Sequence, residues 1–121
     1  MKILIGTPIH QKKDYAIERW LENVSKLEYP ADLLMVDNSP GIEYMERAKG
    51  YCKRIGLKKY LIKHIEHSQG MSNDEIEERI EMSQLLIAKE ILANNYDAWL
   101  SWECDQIIPL DALDRLVKLQ E

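Results

Sequence analysis

Four short apolar runs, each followed by a stretch whose apolar positions recur at helical spacing, constrain this chain more than any other feature. The first run, residues 2–6 (KILIG), is stopped by Gly6 and Pro8, as expected of a strand covered on both faces. Asp14 is the expected cap of a helix on which Ile17, Trp20, Leu21, Val24 and Leu27 share one face until Tyr29 and Pro30 end it. Residues 33–36 (LLMV) form a second strand, closed by the turn formers Asp37, Asn38, Ser39, Pro40 and Gly41. Across residues 43–55 the stripe of Tyr44, Met45, Ala48, Tyr51, Cys52 and Ile55 predicts a helix with Gly56 as its C-terminal cap.

The alternation continues to the end of the sequence. Residues 60–65 are a third strand, and Lys63 and His64 within it suit a sheet edge. Ser72 or Asn73 starts a long helix with Glu75 in its first turn, and Ile76, Ile80, Leu85, Ala88, Ile91 and Leu92 keep an apolar face as far as Asn94 and Asn95. Residues 98–102 are a fourth strand running into Glu103, Cys104 and Asp105, after which Pro109 opens a helix carrying Leu110, Leu113, Leu116, Val117 and Leu119. Strands alternating with helices imply an α/β fold, a Rossmann-like three-layer α/β/α sandwich with a mainly parallel sheet of about four strands. With no linker or low-complexity tract in its 121 residues, the chain reads as a single domain, 1–121.

Charge and motifs narrow the function classes. Sixteen basic and twenty-one acidic side chains give a net charge of −5 with no basic block, which argues against nucleic acid as the main partner. A local set of backbone N–H groups or a metal ion still suits an anionic ligand. Cys52 and Cys104 form neither a disulfide framework nor a zinc motif and are expected to be reduced thiols. The opening MKILIGTPIH is too briefly apolar for a signal peptide or a transmembrane segment, so a cytoplasmic location is expected. No GxGxxG, P-loop or GxSxG run occurs, which disfavours dinucleotide and P-loop chemistry.

In sheets of this kind ligands bind beyond the carboxyl ends of the strands, where strand order reverses. That rule selects Thr7, Pro8, His10, Asp37, Asn38, Ser39, Glu103 and Asp105. Glu103 and Asp105 are two apart, so in extended backbone their carboxylates converge, and a divalent cation, Mg²⁺ or Mn²⁺, would relieve their repulsion and bridge them to a diphosphate. The plainer reading is a pair of solvated acids ahead of a helix. Asp37, Asn38 and Ser39 suit a nucleobase or ribose, and equally suit a tight strand-to-helix turn. His64 and His67 read as polar edge residues and, with His10 remote, make a poor metal set. Arg79 has ordinary helix partners in Glu75, Glu77, Glu78 and Glu81. Trp99 and Trp102 read as core or pocket wall.

Taken together, KILIGTPIH, LEYPADLLMVDNSP and NNYDAWLSWECDQIIPLDALDRL resemble family 2 type glycosyltransferases of the GT-A fold, in order and spacing, over nearly the whole chain. The resemblance implies that Thr7 and Pro8 contact the nucleotide of a nucleotide-diphosphate sugar donor. It makes Asp37, flanked by Asn38 and Ser39, the acid that reads the base. Glu103 and Asp105 fall on the family's DxD motif, the first acid at the ribose or metal and the second on the Mn²⁺ or Mg²⁺ that holds the diphosphate. Arg79 falls near the family's phosphate-directed helix arginine. Here the motif is Glu-Cys-Asp, with a first acid one methylene longer. The family fold continues past this motif into an acceptor-binding half, so the resemblance implies a donor half truncated after the motif. Acceptor site and catalytic base would then come from elsewhere, for example a homo-oligomer formed beside the fourth strand. The rival expectation is a non-catalytic nucleotide-binding or assembly module of the same fold.

Overall fold

Strand β1 (Ile3–Ile9) has parallel neighbours on both sides, β2 (Asp32–Asp37) on one and β4 (Ala98–Ser101) on the other. Strand β3 (Tyr60–His64) pairs parallel with β2, and the sheet order is β3-β2-β1-β4. The computed structural model describes residues 1–65 and 73–120, and the side chains of all of these but 73–80 and 120. The helices are α1 (Asp14–Ser25), α2 (Glu43–Ile55), α3 (Asn73–Ala93) and α4 (Ala112–Gln120).

The strand period of two divides the apolar residues between two layers. Ile5, Ile9, Leu33, Met35 and Ile62 face one way and share a core with Ile17, Trp20 and Leu21 of α1, Tyr44, Ala48 and Cys52 of α2, and Leu113 of α4. Leu4, Leu34 and Val36 face the other way and meet Ile87 of α3, with Leu86 and Ile91 against them. The result is the expected three-layer Rossmann-like sandwich. The chain steps from β1 to β2 to β3 in one direction, then crosses the opposite face through α3 to reach the far side of β1. Strand order therefore reverses between β1 and β4.

Several boundaries differ from the sequence reading, each for a local reason. Strand β1 runs through Gly6 and Pro8 to Ile9. β4 stops at Ser101 opposite Gly6, so Pro8 lies where β1 has a partner on the β2 side only, and a missing N–H is tolerated there. Asp14 is the first residue of α1 instead of its cap, because a 3-10 turn, Gln11–Lys13, precedes it. Its carboxylate accepts from Arg47 Nη1 at 2.9 Å and Tyr51 Oη at 3.0 Å, joining α1 to α2. Pro109 lies before α4 and does not open it; its carbonyl accepts the Ala112 N–H at 3.0 Å. Gly56 does close α2, at a φ of 88° that favours glycine.

Cys52 and Cys104 are both free and buried, and burial pushes both thiols up to about 11. Among the described residues no helix is long and apolar enough to cross a membrane.

Close approach at Gly6 holds α3 and β4 against the central strand. A Cβ there would lie 2.5 Å from Ile87 Cγ2 and 2.8 Å from Trp99 Nε1, and the Trp99 indole donates to the Gly6 carbonyl at 3.2 Å. Ile87 is fully buried and has nowhere to retreat. Gly6→Ala is expected to destabilise the fold by about 1–3 kcal/mol, read as a lowered midpoint in urea; an unchanged midpoint would show that this contact is slack.

Candidate functional site

Because α1 and α2 take one face and α3 the other, the loops after β1 and β4 diverge and leave a cleft between them. Its volume is about 460 Å³, and its walls include Thr7, Pro8, His10 and Lys13 from the β1 side, Asn38 from the β2 turn, and Ser101, Glu103 and Asp105 from the β4 side. Gln84 and Ile87 of α3 and the Trp99 ring, 37% exposed, form its floor. Two other hollows, about 270 Å³ and 570 Å³, lie around the amino ends of the strands near Asp32 and Lys59.

Each wall is fixed by identifiable bonds. The Thr7 side chain is buried, and its hydroxyl donates to the Pro8 carbonyl at 3.3 Å. The Asn38 N–H donates to the Ile9 carbonyl at 3.1 Å, which extends the β1–β2 ladder to the rim of the cleft. Beyond β4, Asn23 of α1 holds the chain twice: its Nδ2 donates to the Ile108 carbonyl at 3.0 Å and its Oδ1 accepts the Ile108 N–H at 2.9 Å. Trp102 is buried against Trp20, with ring centroids 4.9 Å apart, and its indole N–H donates to the Gln106 carbonyl at 2.7 Å. These anchors present Glu103 and Asp105 to the cleft.

Glu103 and Asp105 do not converge by strand alternation. β4 ends at Ser101, and a turn in which the Gln106 N–H donates to the Glu103 carbonyl at 3.2 Å carries both acids. Glu103 is exposed. Asp105 accepts from Lys13 Nζ at 2.8 Å. That hydrogen bond, reinforced by the ammonium charge, holds the Asp105 carboxyl below its ordinary 3.8, while the same contact raises Lys13 above 10.5.

Asp37 and Ser39 are wholly buried and do not line the cleft. One Asp37 oxygen accepts the Ser39 N–H at 3.0 Å and the other lies 2.9 Å from His64 Nδ1. The Ser39 hydroxyl accepts the Gln11 N–H at 2.8 Å, tying the turn after β2 to the turn after β1. Both residues thus build the loop that presents Asn38. His64 lies on the edge strand β3 as expected, opposite Asp37 in the β2–β3 register, and its side chain is packed against that carboxylate. Arg79 lies on α3 with its side chain outside the described part, and His67 lies outside the described residues. Sequence reasoning passed over Lys13, Gln84 and Ser101 as cleft residues, whereas Trp99 and Trp102, read as core or pocket wall, do line the cleft. For Lys13 a signal existed, a cation in the segment directly after strand one; for Gln84 the helical pattern carries none.

The fold defines the class: a Rossmann-like α/β sandwich with a four-stranded parallel sheet. Among solved structures, the chain is similar to S. aureus TarS (residues 1–349), at a TM-score of 0.65 and 14% identity over 98% of this chain. It spans 32% of that chain's length. No family model matches the sequence, and no curated protein matches it significantly.

The two shifts at the ion pair set a pH window. The lowered carboxyl pKa means the contact is lost as pH falls through a value below 3.8, and the raised ammonium pKa means it is lost as pH rises beyond 10.5. In a carboxyl-detected NMR titration Asp105 is expected to titrate below 3.8, and in Lys13→Met to move up towards it; an identical midpoint in both proteins would contradict the contact.

Proposed function

We propose that this chain is the donor-binding part of a glycosyltransferase of the family 2 type, and that the cleft between β1 and β4 takes a nucleotide-diphosphate sugar with a divalent cation. The observation that carries this reading is the meeting of Thr7, Pro8, Asn38, Glu103 and Asp105, from three separate stretches of sequence, around one cleft at the reversal of strand order. The fold neighbour's being a glycosyltransferase adds support. On this reading Thr7, Pro8 and Asn38 touch the nucleotide, Asp37 and Ser39 hold the loop that carries Asn38, and Arg79 approaches the phosphates from α3.

The donor set fits Mg²⁺ or Mn²⁺. Asp105 already attracts a cation, the Lys13 ammonium, at 2.8 Å, and Glu103 lines the same cleft. No group of three metal-ligating side chains occurs among the described residues. Such an ion typically takes one or two carboxylates and completes its shell with phosphate oxygens and water. Once bound, it would offset the charge that builds on a departing diphosphate.

Titration calorimetry with UDP or GDP, with and without Mn²⁺, tests this directly. Binding is expected to need the metal, and Asp105→Ala is expected to abolish the metal-dependent part while the circular dichroism spectrum stays the same. Equal affinity in the variant would refute the metal role. No binding under any condition would favour a non-catalytic assembly module.

A further inference from the structure

The Lys13–Asp105 contact raises a question that the donor reading leaves open: the carboxylate expected to hold a metal ion already has a cation. Resting on that reading, we propose that Lys13 is an exchangeable ligand of the cleft, neutralising Asp105 until a divalent cation takes that carboxylate and then turning its ammonium to the donor's diphosphate.

The base of Lys13 is fixed and its tip is not. The 3-10 turn that carries it is held by His10 Nδ1 accepting the Lys12 N–H at 3.0 Å, by the Lys13 N–H donating to the His10 carbonyl at 2.9 Å, and by the Gln11 N–H bonded to Ser39. The four-carbon stem beyond it is flexible, and the ion pair at its end is partly solvated, with side chains 46% and 24% exposed. Exposed pairs of this kind are weak enough to open when a stronger competitor arrives. A divalent ion is that competitor: it carries twice the charge and cannot share an oxygen closely with an ammonium without like-charge repulsion.

Charge in the cleft then assigns the released ammonium a second role. Glu103 and Asp105 together cancel the charge of one divalent ion, so a diphosphate entering the cleft would face a neutral cluster if Lys13 were absent. Lys13 lines the same cleft and adds positive charge there. An ammonium is a compact cation suited to phosphate oxygens, and charge-assisted hydrogen bonds are the stronger kind. The coupling is reciprocal, since whatever draws Lys13 towards phosphate also frees Asp105 for the metal.

Removing the ammonium should therefore act with opposite sign on the two ligands. In Lys13→Met, Mn²⁺ binding without nucleotide, followed by electron paramagnetic resonance, is expected to tighten about two- to fivefold. Affinity for UDP or GDP at saturating Mn²⁺, followed by calorimetry, is expected to fall about tenfold or more. Lys13→Arg should keep both affinities close to the parent's, and a variant that is merely damaged would weaken both ligands together. Unchanged or weaker Mn²⁺ binding in Lys13→Met, beside intact nucleotide binding by the parent, overturns the role of Lys13 alone. A parent chain that binds Mn²⁺ and no nucleotide overturns the donor reading, and with it the second half of this proposal.

Discussion

Parallel pairing of β1 with a neighbour on each side is the constraint on which the rest of the structure depends. Parallel strands cannot be joined by a tight hairpin, so each connection crosses a face of the sheet, and here each crossing carries a helix. Two crossings on one face and one on the other bring β4 back to the open side of β1, and the loops that follow β1 and β4 must part. The cleft is a consequence of connectivity. Gly6 adds to it, because the close approach of Ile87 and Trp99 to β1 sets the depth of the cleft floor.

The cleft's chemistry depends on anchors that carry no ligand contact themselves. Asn23 on α1 ties down the segment after β4 through both polar atoms of its side chain, and buried Trp102 fixes the turn within it. On the opposite wall, buried Asp37 and Ser39 use their side chains to join two loops. Buried polar groups arranged this way are fully engaged, which makes the surrounding turns rigid. The charged groups left to respond to a ligand, Lys13, Glu103 and Asp105, are the ones in contact with solvent.

Much of this architecture was legible in the sequence because hydrophobic period and turn chemistry are local signals. The 43–55 helix and its Gly56 cap follow from a clear stripe and a terminal glycine, and both stand in the structure as read. Pro8 was misleading because a proline is forbidden in a strand only where its nitrogen faces a partner, and that depends on where β4 ends. Asp14 and Pro109 look like helix signals, yet a 3-10 turn and a loop bond to α1 move the real starts past them. At the site, residues after strand ends could be enumerated from sequence. The pairing of Asp37 with His64, and of Lys13 with Asp105, joins residues 27 and 92 positions apart and has no local signature.

The claim that the reversal of strand order creates a donor site is tested most directly by crystals of the chain grown with UDP and Mn²⁺, with anomalous scattering used to locate the metal. The account predicts a manganese peak at the Asp105 carboxylate, with the nucleoside lying against Thr7 and Asn38. Nucleotide and metal ordered instead around Asp32 and Lys59, at the amino ends of the strands, would contradict it.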